Sequence, residues 1–215
     1  MRISLFFSLF VTMLLLSCSG NQVQYALIET EYGDMKVELY NSTPGHRDNF
    51  VKLVKEGFYD DLLFHRVIRD FMIQGGDPDS KNAPAGQRLG MGGPGYTIPN
   101  EIGAPHFKGT LAAARTGGPS NPDKRSSGSQ FYLVQGTRQT GPSLEAMARS
   151  KGIQYNQAQI QKYEEIGGAP FLDNDYTVFG EVVEGLDVID KIAQVGTDNA
   201  DRPVQDIKMK IRMTR

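Results

Sequence analysis

A chain of 215 residues that is 39% hydrophobic and 22% charged, with a net charge of -2, has the make-up of a soluble globular protein of one domain. No cluster of Lys and Arg breaks that balance, which excludes nucleic acid and other polyanions as partners. The 24 glycines gather mid-chain, favouring a loop-rich β protein over a helical bundle.

The N-terminus reads as a leader. Arg2 supplies positive charge and residues 5–16 are an almost unbroken apolar run, too short to span a bilayer comfortably. Leu15-Leu16-Ser17-Cys18 then resembles the lipobox of bacterial lipoproteins, and Cys18 is the only cysteine. Residues 1–17 are therefore expected to be removed and Cys18 lipidated. Residues 18–22 would form a short tether, and 23–215 the folded domain, held at a membrane of the cell envelope and facing the periplasm.

Residues 24–30 and 35–40 make a hairpin, with Met35, Val37 and Leu39 alternating against Lys36 and Glu38. Thr43 is placed as an N-cap and Pro44 as the first residue of a helix carrying Phe50, Leu53 and Val54, ended by Gly57. The apolar runs 64–68 and 71–74 flank Arg69-Asp70 as a second hairpin, with Arg66 projecting beside Phe71, Met72 and Gln74. Residues 78–108, rich in Gly and Pro, read as ordered loops with one short extended piece. A small-residue strand over 109–115 and a loop over 116–128 follow. In the strand 130–135, Phe131 and Leu133 lie on one face and Tyr132 and Val134 on the other.

Residues 136–169 form a polar insertion with two helical patterns. Pro142-Ser143 starts one, striped by Leu144, Met147 and Ala148; Asn156 caps the other, striped by Ile160, Tyr163 and Ile166. A strand at 176–183, a short helix at 185–193 and a half-buried strand through Ile207, Met209 and Ile211 complete the chain. The pattern predicts a mainly β fold: a closed eight-stranded antiparallel barrel with two capping helices and the helical insertion, as a monomer.

The sequence offers no covalent or metal chemistry. The Gly90-Met91-Gly92-Gly93-Pro94-Gly95 run lacks the Lys and the helix of a phosphate loop. His46, His65 and His106 have no metal-ligand spacing. Ser126-Ser127-Gly128-Ser129 is no nucleophile elbow. What remains is Arg66 beside apolar residues, an arrangement suited to gripping a greasy group while addressing a nearby polar atom.

Four blocks in order carry a resemblance. Thr43-Pro44 with Phe50-Val51 and Gly57-Phe58-Tyr59-Asp60 is the first. The second joins Phe64-His65-Arg66-Val67-Ile68 to Phe71-Met72-Ile73-Gln74-Gly75-Gly76-Asp77. Ser129-Gln130-Phe131-Tyr132 is the third, and Phe171-Leu172-Asp173 with Val178-Phe179-Gly180 the fourth. Together they resemble the cyclophilins, which are peptidyl-prolyl cis–trans isomerases. The resemblance implies that Arg66 is the catalytic residue and that Gln74 orients it. It implies a proline pocket built from Phe71, Met72, Tyr132 and Leu172, with Phe171 closing one side, Ala114, Arg115 and Gln130 flanking the peptide, and Tyr176 at its edge. Thr116 to Gly118 would border a neighbouring subsite. Proline-containing polypeptides would be the partners and no cofactor or metal would be needed. Folding of exported proteins is then the expected role, with a proline-peptide-binding chaperone or assembly module of weak catalysis as the alternative.

The chain also departs from the family's pattern. Arg69-Asp70 replaces the usual Pro-Gly of the turn, Arg115 an asparagine, Tyr132 a phenylalanine and Tyr176 a histidine. Phe171 stands for the tryptophan of drug-sensitive members, which implies weaker cyclosporin binding. The Tyr132 hydroxyl, if buried, must find a partner.

Overall fold

A computed structural model describes residues 22–215. The expected leader, Cys18 and all of the tether except Gln22 fall outside the described residues.

The first hairpin pairs β1 (Gln24–Thr30) with β2 (Gly33–Leu39), Thr30 standing opposite Gly33. Ala26, Ile28, Met35, Val37 and Leu39 point inward, as the alternation requires. Helix α1 (Pro44–Lys55) buries Phe50, Val51, Leu53 and Val54 on the sheet. Its cap differs from expectation: the Thr43 side chain makes no capping bond. Glu101 supplies it from a distant loop, accepting from Gly45 N at 3.0 Å and His46 N at 2.9 Å. Two carboxylate oxygens satisfy two orphan amides and meet the positive end of the helix dipole, which one hydroxyl could not do. His46 links Glu101 (Nδ1–Oε2, 2.6 Å) to Ser126 Oγ (2.9 Å), tying α1 to the far loop. These are the distances of a catalytic triad, but Ser126 is 1% exposed and leaves no room for a substrate.

The chain continues through β3 (Leu62–Leu63), β4 (Arg66–Ile68), β5 (Met72–Gly75), β6 (Thr97–Ile98), β7 (Thr110–Ala113), β8 (Ser126–Ser127) and β9 (Phe131–Val134). Helices α2 (Gly141–Lys151) and α3 (Gln157–Glu165) follow, then β10 (Val178–Glu184), α4 (Leu186–Ile192) and β11 (Lys208–Thr214). The turn between β4 and β5 places Asp70 at φ 62°, the left-handed conformation that aspartate tolerates and that glycine usually supplies.

Among the described residues nine strands form one antiparallel sheet in the order β3-β11-β1-β2-β10-β7-β9-β5-β4, and β6 pairs with β8 separately. The sheet curls into a half-barrel and does not close, so the eight-stranded closed barrel is corrected to an open nine-stranded one. The physical reason lies at the seam. The edge strands β3 and β4 are consecutive, separated only by Phe64 and His65, so the chain runs forward from one edge to the other and cannot pair with itself. The covalent link and a bond from Val67 N to Asp201 O (2.8 Å) serve where a ladder would.

Strand β9 divides the interior as expected. Phe131 and Leu133 enter the main core, where Phe131 meets Phe50, Tyr59 and Phe64 edge-on. Tyr132 and Val134 join a second cluster with Met72, Ala112, Ala114, Leu172 and Val178. The helices α2 and α3 pack a third, small cluster on Phe107, burying only Leu144 and Tyr163 fully. Asn156 caps α3 as its position suggested, and the structure adds the reciprocal bond from its own backbone N–H to the Gln159 side chain, a full capping box.

Candidate functional site

Register assembles the site. Arg66 stands opposite Gln74, Gln74 opposite Tyr132, Tyr132 opposite Ala112 and Ala112 opposite Val178, one row crossing five strands on a single face. The row beside it holds Ile68, Met72 and Val134. Alternation along each strand and pairing across strands thus gather residues from distant parts of the chain.

A cavity of about 460 Å³ lies over this face. Met72, Tyr132 and Leu172 form its buried apolar floor, while Arg66, Gln74, Ala114, Arg115 and Tyr176 line its sides. Phe71 lines it too, and its ring meets that of Phe171 at 5.2 Å. Phe171 itself is 47% exposed and sits at the rim rather than as a closing wall, because it lies at the outer face of a 3-10 turn, Pro170–Leu172, whose Leu172 points inward. Gln130 lines a neighbouring cavity and reaches this one through Gln74.

Arg66 donates to Gln74 Oε1 at 3.3 Å, and its Nε lies 3.4 Å from Asp201 Oδ2. Gln74 Nε2 donates to Gln130 Oε1 (3.0 Å), and Gln130 Nε2 to Gly92 O (2.7 Å). The chain of amides fixes which face of Gln74 meets the guanidinium. Arg66 is therefore held from two sides with donors left over for a guest.

With the site in view, the chain can be placed among known proteins. A family model described as cyclophilin type peptidyl-prolyl cis-trans isomerase/CLD matches residues 25–213. The chain belongs to this family. A relative from Staphylococcus saprophyticus, described as a peptidyl-prolyl cis-trans isomerase, is 34% identical over 195 residues, covering 88% of this chain and 90% of its own. A Staphylococcus aureus relative of the same description is 35% identical over 187 residues, covering 84% and 86%. A cyclophilin structure from Cryptosporidium parvum shares the fold, with a TM-score of 0.64 at 24% identity over 90% of this chain and 99% of that one. A second structure of that protein, determined in the presence of the dipeptide Ala-Pro, gives 0.62 at 25% identity over 89% and 99%.

In this cyclophilin the Tyr132 hydroxyl has its partner. It lies 3.0 Å from His106 Nε2, and His106 Nδ1 lies 2.8 Å from Asp173 Oδ1. The carboxylate only accepts, so Nδ1 carries the proton and Nε2 receives the tyrosine hydrogen. Burial lowers the His106 pKa against the pull of Asp173, which keeps the ring neutral. Asp173 Oδ2 accepts from Tyr155 and Tyr163, each at 2.7 Å. The floor of the cavity is thus wired to the two-helix segment, whose Lys151 also donates to Asp173 O (3.0 Å) and the Asp175 carboxylate.

Sequence reasoning missed the second wall. Arg202 is buried and donates to Ala83 O, Pro84 O and Asp206, fastening the 83–92 loop to the C-terminal loop that carries Asp198 and Asp201. Asp77, fully buried, accepts from Gly90 N at 2.5 Å and from Asp79 N at 2.8 Å, which shapes the same loop from within. No local signal could have found it, since Asp201, Arg202 and Pro203 are residue types that usually stay exposed and no helix or strand claims them. His65, 3% exposed, lines the cavity with neither ring nitrogen hydrogen-bonded among the described residues, and burial pushes its pKa down to about 4 despite Asp77 nearby. Among the described residues no group of three His, Cys, Asp or Glu could hold a metal ion.

Proposed function

We propose that this cyclophilin catalyses rotation about X-Pro bonds with Arg66 as the hydrogen-bond donor, and that its clients are exported proteins met at an envelope membrane. The observation that carries the catalytic reading is the Arg66 guanidinium, braced by Gln74 beside an apolar-floored cavity. An X-Pro amide resists rotation because its nitrogen shares its lone pair with the carbonyl, a barrier of about 20 kcal/mol that makes the uncatalysed turn take tens to hundreds of seconds. At the twisted transition state that sharing is lost and the nitrogen becomes pyramidal and basic. A donor aimed at it stabilises the twisted state far more than the planar one, which is the requirement for catalysis. Arginine stays protonated and presents rigid donors, while Met72, Leu172 and the Tyr132 ring would grip the proline as the acyl side turns. No bond is broken, so the chemistry calls for no cofactor.

Likeness to a protein studied with Ala-Pro supports proline-containing peptides as ligands here. The envelope half of the proposal rests on the leader and Cys18, and acyl labelling of the parent against Cys18→Ala tests it. For the catalytic half, isomerisation of a proline peptide is compared between the parent and Arg66→Ala. A loss of about 100-fold in kcat/KM is expected, as for removal of one transition-state donor. Equal rates would remove Arg66 from the mechanism. An inactive parent that still binds proline peptides would favour the binding-module alternative.

A further inference from the structure

A second cavity of about 950 Å³ adjoins the first, and Gln74, Gly90, Ala114 and Arg115 line both. A peptide with its proline in the first therefore runs its flanking residues past Arg115 into the second. Two guanidiniums, Arg115 and Arg125, line this second space, and no aspartate or glutamate among the described residues does. That is an unusual balance in a chain whose net charge is -2.

Neither cation is neutralised by an ion pair among the described residues. Arg115 donates to two carbonyls, Asp175 O at 2.8 Å and Thr116 O at 3.2 Å, and lies 4.5 Å over the Tyr176 ring. Arg125 donates to Thr97 Oγ1 at 2.7 Å and Thr97 O at 2.8 Å. Asp175, whose carbonyl holds Arg115, gives its carboxylate to Lys124 and Lys151 instead. Carbonyls and a ring position a guanidinium without cancelling its charge, and each still has N–H donors to spare. Both side chains are part-buried, so little entropy is lost when a carboxylate arrives.

We infer that the second cavity selects substrates with an acidic side chain within two residues of the proline, with Arg115 and Arg125 as the specificity-determining residues. This rests on the isomerase reading but is tested apart from it. Peptides differing only by Glu for Gln, at each position up to two residues either side of the proline, remove shape from the comparison. Their affinity is measured by fluorescence titration of the mature domain, and their isomerisation separately. At low salt the Glu peptide at one of these positions should bind about five- to tenfold more tightly, and the ratio should shrink towards one at about 1 M salt, where screening acts within a few ångströms. The ratio within each variant is read, so any general loss cancels. The double variant Arg115→Gln with Arg125→Gln should bring it to one, and Arg115→Lys should retain part of it with the same salt dependence. A parent ratio of one at every position, or a ratio untouched in the double variant, would overturn the inference. Isomerisation with a ratio of one removes this inference alone, and a Glu preference in binding without isomerisation removes the isomerase reading alone.

Discussion

The two faces of β9 are built from the same four-residue alternation and end in opposite conditions. Phe131 and Leu133 face a space filled by rings from α1 and its exit, Phe50 and Tyr59, with Phe64 from the seam. Tyr132 and Val134 face small or flexible neighbours, Ala112, Ala114 and Met72, and a cavity. One face is held by packing. The other keeps its opening because its walls are pinned by hydrogen bonds: Tyr132 to His106 to Asp173, and Arg202 to three backbone carbonyls. A site needs empty volume, and empty volume forgoes contacts. Polar networks that fix geometry without filling space resolve that conflict.

The largest effect expected from disturbing this division is on the packed face. Phe131→Ala should cost about 3–5 kcal/mol of stability by denaturant unfolding. Assayed in the cold, the molecules still folded should keep KM within about twofold, and a larger change would show that the faces are not independent.

Acid probes both faces through their histidines. The folded-state pKa of His65 is pushed to about 4 by burial, and those of His46 and His106 are also lowered by burial. The unfolded chain then binds more protons below about pH 6.5, so stability should be level above that value and fall as pH drops towards 4. His65 alone contributes on the order of 3 kcal/mol across that window, from about 1.4 kcal/mol per pKa unit. His65→Phe should flatten the slope of unfolding midpoint against pH, and an unchanged slope would refute the assignment.

Arg66→Ala, costing about 100-fold in turnover, should cost less than about 1 kcal/mol in stability, since its pair with Asp201 is two-fifths exposed on both sides. The smallest test contrasts two hydroxyls. Tyr155→Phe deletes one donor to Asp173, and Tyr59→Phe deletes the bond to Ser129 O at 3.2 Å on the packed side. Each should cost about 1 kcal/mol. Only Tyr155→Phe should raise KM, because only that hydroxyl belongs to the network holding the floor.

Much of this was legible in advance where the signal is local. Two-residue periodicity located the inward faces of β2 and β11 and divided the two faces of β9, and Asn156 announced α3. The blocks around Arg66 and Gln130 pointed to residues that the fold does bring to one cavity. Long-range polar partners were not legible. That Glu101 caps α1, that Asp201 braces Arg66 and that Asp173 collects His106, Tyr155 and Tyr163 depend on loops with no periodicity to read.

The sequence alone determined the longer strands, the faces of β2, β9 and β11, and the family, because alternation and motif spacing are properties of neighbouring residues, whereas the two-residue strands β3 and β8 are too short to show a period. It implied a closed barrel because counting strands says nothing of how the edges meet. Only the tertiary structure decided that β3 and β4, consecutive in the chain, lie at opposite edges of an open sheet. It likewise decided that two guanidiniums share a cavity without an acid, since charge balance within a cavity depends on which loops converge there.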